Sequence, residues 1–205
     1  MKAVRAGKYK KAYIPSTEKE IHDLLTKYDF GTALWRIRTS KKDDVIPLLK
    51  KWINEDNHRL KINCAFALGM LEDASGIEYI RSIIRSQPEM PEKIIHVRYY
   101  TDFSKALLLA GRLKDTEVID DLLKIINTNA KGYADSLITG DYYRTKEHFE
   151  NNFVSISIAS LLKTAAVSSR KEEIYNAVNK WANQKFENPE FKKTAKTVKG
   201  IMKGI

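Results

Sequence analysis

The residues of this chain that are most able to do chemistry are four histidines and one cysteine. The histidines are far apart in the sequence: His22, His58, His96 and His148. None of them has a second and a third ligand candidate at helical spacing, so the sequence predicts no metal site. Cys64 lies within an apolar pattern, where a lone cysteine is usually a small buried hydrophobic residue. We therefore expect no metal, no cofactor and no catalytic residue.

Two pairs of adjacent carboxylates are the next candidates, Asp43–Asp44 and Asp120–Asp121. A general acid–base pair needs two carboxyls in different environments, whereas carboxylates in the first turn of a helix stabilise its dipole. Both pairs come near the start of a predicted helix, which favours the dipole interpretation.

Aromatic and basic residues suggest binding instead of catalysis. One cluster follows the proline-containing segment 87–92 and consists of Arg98, Tyr99 and Tyr100. A second lies within residues 128–148 and consists of Tyr133, Tyr142, Tyr143 and Arg144. Tyr with Arg is typical of interaction hot spots, and an equally good interpretation is that the rings pack a long loop onto the helices.

The elements that position these residues are helices, because apolar residues recur at spacings of three and four and strand-like alternation is nearly absent. Residues 57–84 read as two helices joined by a short polar turn at 72–75. The pattern recurs 42 residues later, where Gly69 corresponds to Gly111 and Asp73 to Asp115. We expect the two glycines to occupy equivalent tight helix–helix contacts, where a larger side chain would overpack. Weaker copies of the second helix have apolar stripes of Ile46, Leu49 and Ile53 in one case and of Ile174, Ala177 and Trp181 in the other. Four helix pairs that bury their apolar faces against each other predict a solenoid.

Residues 65–75 (AFALGMLEDAS) resemble the first helix and turn of HEAT-like repeats, especially the short-repeat type of phycobilisome lyases. The resemblance extends over roughly residues 17–186 and implies an all-α, right-handed α–α superhelix. Proteins with such repeats include scaffolds, adaptors, bilin lyases and some DNA glycosylases, so the fold does not define the chemistry.

Three segments follow from this reading: a basic tail at 1–16, a repeat domain at 17–186 and a C-terminal capping helix at 187–205. The last segment has Pro189 at a helix start and an apolar stripe of Phe191, Ala195, Val198 and Met202. Trp52 and Trp181 are predicted to belong to the core.

The growing offsets between pairs (31, 42 and 55 residues) come from the inter-pair turns, which lie on one edge of a solenoid. The two tyrosine clusters should therefore meet there and form a partner site. The outward faces of the second helices define a second surface, the basic ladder: Lys50, Lys51, Arg81, Arg85 and Lys124. Such a ladder could meet phosphates or an acidic segment, although solvated helix faces have the same composition.

The net charge of +10 belongs mainly to the chain ends. Residues 1–16 carry five net positive charges and residues 185–205 carry four, which leaves the body nearly neutral. A neutral body argues against a nucleic-acid groove. No apolar run approaches the roughly 18 residues of a membrane span, and no apolar stretch follows the basic start, so we expect a cytoplasmic protein.

We expect a protein–protein interaction module or scaffold, with another protein as the partner. One alternative is a nucleic-acid-binding protein that resembles HEAT-like DNA glycosylases. The other is a helical accessory segment of a larger enzyme, since some flavin-dependent oxidoreductases carry loosely similar helical tails.

Overall fold

The computed structural model of the protein describes residues 17–27, 42–86, 97–127 and 146–205. Within these ranges all regular structure is helical, which confirms the predicted all-α class. The helices are α1 (Glu18–Lys27), α2 (Lys42–Trp52), α3 (His58–Met70), α4 (Ile77–Arg85), α5 (Val97–Leu113), α6 (Ile119–Asn127), α7 (Lys146–Ala165), α8 (Lys171–Ala182) and α9 (Pro189–Met202). Short 3₁₀ turns, Ala74–Gly76 and Thr116–Val118, precede α4 and α6.

The chain forms two compact units, residues 1–76 and 77–205. In the first unit, α1 and α2 both pack against α3. Helix α3 begins at Asn57, whose side chain accepts a hydrogen bond from the Leu60 backbone N–H at 3.0 Å. Asn63 is fully buried, and its Nδ2 donates to the Leu25 carbonyl at the end of α1. This unit includes α1, a helix that the four predicted pairs did not contain.

The buried stripe of α2 differs from the predicted one. Ile46, Leu49 and Ile53 were expected in the core, but the buried residues are Val45, Leu49 and Trp52, and the two isoleucines are half-buried. The buried stripe therefore begins at Val45 instead of Ile46 and ends at Trp52 instead of Ile53. The buried indole of Trp52 contacts His22 of α1 edge-to-face, with ring centroids 5.1 Å apart.

The two turns that the sequence aligns 42 residues apart have the same backbone geometry. Helices α3 and α5 are each followed by a turn that contains a residue with a positive φ. These residues are Glu72 (65°) after α3 and Lys114 (53°) after α5. In both turns the next residue, Asp73 or Asp115, donates its N–H to the carbonyl five residues earlier at 2.9 Å. This is the Schellman pattern of helix C-termini. The following 3₁₀ turns and helices also have bounds that differ by 42 residues, so the two segments share one local fold.

The repeated helices also bury equivalent residues. Ile80 and Ile84 of α4 are fully buried, as are Leu122 and Ile126 of α6. The first position differs, because Ile119 is buried whereas Ile77 is only half-buried. Apolar burial at about 25 cal/mol per Å² makes these stripes the main stabilising feature of the short helices.

In the second unit, α5 and α7 form the most extensive helix contact. A Cβ on Gly111 of α5 would lie only 2.6 Å from the Cα of Ser160 on α7, so this position requires glycine. Ser160 Oγ donates to the Leu107 carbonyl at 2.7 Å, which joins the two backbones at the same place. The predicted tight contact at Gly111 is confirmed, and its proposed equivalent, Gly69, is also buried.

The C-terminal helix packs against α7 and α8. Asn188 caps it by accepting from the Glu190 N–H at 2.8 Å, and Pro189 occupies the first turn. Phe191 stacks on Phe186, which in turn contacts Trp181 of α8 at 4.9 Å between ring centroids. As predicted, α9 buries Phe191, Ala195 and Val198. Both tryptophans that were predicted to belong to the core are also buried.

One type of contact occurs in both units. The second helix of a predicted pair packs on the first helix of the next pair: α2 on α3 in the first unit, and α4 on α5 and α6 on α7 in the second. The predicted domain boundaries at 16/17 and 186/187 stay predictions.

Candidate functional site

The predicted edge site falls mostly outside the described residues. The backbone of Arg98, Tyr99 and Tyr100 forms the first turn of α5. Tyr133, Tyr142, Tyr143 and Arg144 lie outside the described ranges. The meeting of the two clusters therefore stays a prediction.

The basic ladder residues of the first unit form ion pairs. Lys50 Nζ lies 2.9 Å from Asp73 Oδ2, and Lys51 Nζ lies 3.3 Å from Glu18 Oε1. Asp73 also accepts from the Ser75 N–H at 2.9 Å. Burial raises the pKa of Asp73, but the hydrogen bonds from Lys50 and Ser75 outweigh it, and the pKa lies below its ordinary value.

Two ladder residues of the second unit, Arg81 and Arg85, also form ion pairs. Arg81 donates Nε and Nη2 to the two oxygens of Asp115, at 2.9 and 2.8 Å, and Nη1 to Glu78 at 2.6 Å. The bond to Asp115 is the main reason that the pKa of Arg81 is raised further. Arg85 lies 3.7 Å from Asp121, and Lys124 is exposed on α6. A phosphate at Arg81 would compete with a bidentate carboxylate.

These pairs follow the repeat. Lys50 and Arg81 occupy equivalent positions on second helices, and their partners, Asp73 and Asp115, occupy equivalent positions in the turns. Each basic residue thus joins its helix to the turn of the following pair. The ladder has a structural role that its spacing alone did not indicate.

The aspartate pair Asp120–Asp121 lies in the first turn of α6, in accord with the dipole interpretation. Arg170 donates to Asp120 at 2.6 Å and to Glu173 of α8 at 2.7 Å. These hydrogen bonds are the largest cause of the lowered pKa of Asp120 and of Glu173. The arrangement is an ion-pair bridge between α6 and α8.

The described histidine and cysteine side chains have structural surroundings. Cys64 is fully buried, and burial, followed by the charge of Glu55, raises the pKa of its thiol to about 12. A thiol with this pKa stays protonated and unreactive at neutral pH. His22 Nε2 lies 3.2 Å from Glu55 Oε2, a contact between residues 33 positions apart that periodicity could not indicate. The described residues contain no group of three or more potential metal ligands.

A groove of about 510 Å³ runs between α7 and α9 in the second unit. Its apolar lining is Ile158, Ala159, Leu162, Val198 and Ile201. Its polar lining is Ser155, Glu190, Lys193, Thr194 and Thr197. Ser155 Oγ and Thr194 Oγ1 are 3.4 Å apart across it, and Ile201 remains 48% exposed. Nothing in the spacing of either helix predicted this surface, because it depends on how α9 lies against α7.

Helix α9 carries four lysines, of which only Lys193 lines the groove: Lys192, Lys193, Lys196 and Lys199. All four are exposed, and none forms an ion pair within the described part of the chain. In this respect they differ from Lys50, Lys51 and Arg81. The groove therefore combines an apolar floor with one lysine and one carboxylate, on a helix whose lysines form no ion pair within the described ranges.

None of the helices in the described ranges is long and apolar enough to cross a membrane. Comparison of the chain with protein-family models, with curated proteins and with solved structures found no match.

Proposed function

We propose that the protein is a protein–protein interaction module that binds its partner in the groove between α7 and α9 and has no catalysis of its own. The observation that carries the proposal is the exposed apolar floor, which includes Ile201 and Ala159. A cleft of this volume with a mainly apolar lining and a few polar groups is typical of binding sites. The edge segments around Tyr99 and Tyr142 are proposed as a second contact for the same partner.

We further propose that the helix pairs stack as a HEAT-like, right-handed superhelix. Three features support this proposal: the AFALGMLEDAS segment, the 42-residue repeat of turn geometry, and the recurrent packing of second helices on following first helices. A stack of this kind keeps first helices in register and leaves the last pair open to a cap such as α9.

Nucleic-acid binding through the basic ladder is the less favoured function. Lys50, Lys51 and Arg81 already bond carboxylates, so phosphate contacts there would cost the bonds that join successive pairs. Exchange of one partner for another yields little net free energy.

The experiment uses purified full-length protein as bait in extracts of its native host, with bound proteins quantified by mass spectrometry. Ala159→Tyr fills the groove from an exposed position, and Asn176→Tyr adds the same ring to an exposed position on α8 outside it. The proposal expects a partner that the parent and Asn176→Tyr both retain and that Ala159→Tyr loses.

Replacement of residues 130–144 by a Gly-Ser linker tests the predicted edge contact in the same assay. Loss of the partner with this variant alone would move the site from the groove to the edge. Equal capture by the parent, Ala159→Tyr and the linker variant would contradict both proposed surfaces.

A further inference from the structure

The groove is long enough to bind a short α-helix. Along α9 its lining extends from Glu190 to Ile201, which at 1.5 Å per residue is roughly 16 Å, or three helical turns. The apolar residues come from both walls, with Ile158 and Leu162 on α7 and Ile201 on α9. A cleft between two helices accepts the side-chain ridge of a third helix.

The lining carries one lysine and one carboxylate, but α9 as a whole is basic. Lys193 lines the groove, and Lys196 is exposed one turn further along the same helix. Neither lysine has an ion-pair partner within the described ranges, and the one carboxylate of the lining, Glu190, lies at the N-terminal end of α9. An occupant with carboxylates beside an apolar stripe would therefore match both the floor and the rim.

We propose that the groove accepts an acidic amphipathic helix of another protein, an inference that rests on the proposed function and adds the chemistry of the partner. The apolar stripe of that helix lies on Ala159, Leu162 and Ile201. Its Glu or Asp residues meet Lys193 at the rim.

The lining argues against a nucleic acid. A backbone of phosphates needs several cations along the groove, whereas Lys193 is the one basic residue of the lining. The floor offers methyl groups of Ala159 and Ile201 where bases or phosphates would require donors or flat rings.

The test uses a fluorescein-labelled peptide of about 18 residues, long enough to form a helix, with Leu at helical spacing and Glu and Ala elsewhere. A scrambled peptide keeps the composition but not the stripe, and a third peptide has Lys in place of Glu. Binding to the full chain is measured by fluorescence anisotropy. Lys193→Glu reverses the rim charge, and Lys192→Glu makes the same change in the same turn on the opposite face of α9.

We expect the acidic amphipathic peptide to bind the parent, and the scrambled and Lys peptides to bind much more weakly. Lys193→Glu should weaken binding about tenfold, while Lys192→Glu leaves it nearly unchanged. Equal losses in both variants would overturn the groove assignment, since they would indicate attraction to net charge alone. Binding of the scrambled peptide as tightly as the amphipathic one would overturn the role of the apolar floor.

Further measurements distinguish a failure of the acidic-helix proposal from a failure of the proposed function. Duplex DNA or anionic lipid vesicles that bind the parent and lose binding with Lys193→Glu but not Lys192→Glu would overturn the acidic-helix assignment. If the acidic peptide fails to bind while Ala159→Tyr still loses the native partner, the occupant is wrong and the proposed function stands. If Ala159→Tyr retains the partner, the proposed function itself fails.

Discussion

Gly111 and Gly200 both lie in helices of the second unit, but a methyl group added to each would meet different surroundings. At Gly111 the new Cβ would lie 2.6 Å from the backbone of Ser160, whereas at Gly200 no atom lies within 4 Å. We expect Gly111→Ala to lower the free energy of unfolding by roughly 1–3 kcal/mol through overpacking. Gly200→Ala should raise it by about 0.5 kcal/mol, because alanine loses less backbone entropy in a helix.

Urea unfolding followed by circular dichroism measures both changes, and each variant serves as the control for the other. A Gly111→Ala protein as stable as the parent would show that α5 and α7 separate easily. The sequence predicted the need for glycine at position 111 from its match with Gly69, but it could not identify Ser160 as the neighbour, because the two residues are 49 positions apart.

Two equivalent ion pairs join elements to the turns that follow them, and they differ in burial. The side chains of Arg81 and Asp115 are 18% and 2% exposed, whereas those of Lys50 and Asp73 are 46% and 16% exposed. Burial and the bidentate geometry make the first pair the stronger one.

Asp115→Asn should therefore destabilise the protein more than Asp73→Asn. Asparagine keeps an acceptor for the backbone N–H two residues on, but it removes the charge and replaces the second acceptor oxygen by an NH2 donor. We expect a loss of roughly 2–3 kcal/mol at Asp115, where two charge-assisted bonds weaken in a buried site. The loss at Asp73 should be about 1 kcal/mol or less. Urea unfolding of both variants gives the comparison, and equal losses would show that burial does not set the strength of the repeated contact.

At the element scale the sequence was most reliable where local chemistry decides the outcome. The turn after α3 and the turn after α5 were predicted from composition, and both have the same hydrogen bonds. The stripe of α2 was misplaced because periodicity does not distinguish Ile53 from its large neighbour Trp52, whose indole fills the space beside His22.

At the scale of the whole molecule, the net charge of +10 has different consequences in different places. Body cations such as Lys50, Arg81 and Arg170 are bonded to carboxylates, while the α9 lysines have no such partner in the described ranges. Composition located the excess charge at the chain ends but could not separate bonded cations from unbonded ones. The groove between α7 and α9 was beyond prediction for the same reason, since Ser155 and Thr194 come together only in the folded chain.

The free energy of unfolding should depend on pH through the carboxylates that are bonded to Arg170. The hydrogen bonds from Arg170 hold the pKa values of Asp120 and Glu173 below their unfolded values of about 4. A carboxyl with a lowered folded pKa stabilises the folded state above its unfolded pKa, and this contribution is lost as the pH falls through the folded value. Arg170→Met should therefore be less stable than the parent at neutral pH.

The difference in unfolding free energy between the parent and Arg170→Met should stay constant down to about pH 5 and close below about pH 4. Once the pH is below the lowered pKa values of the folded parent, both carboxyls are protonated in either protein, so the arginine no longer distinguishes the two. Lys180→Met removes one positive charge from an exposed position on α8 and should differ little from the parent at every pH. Urea unfolding across the acid range measures all three proteins. A difference that persists or widens in acid would mean that Arg170 stabilises the α6–α8 contact by packing of its side chain, and not by its bonds to the carboxylates.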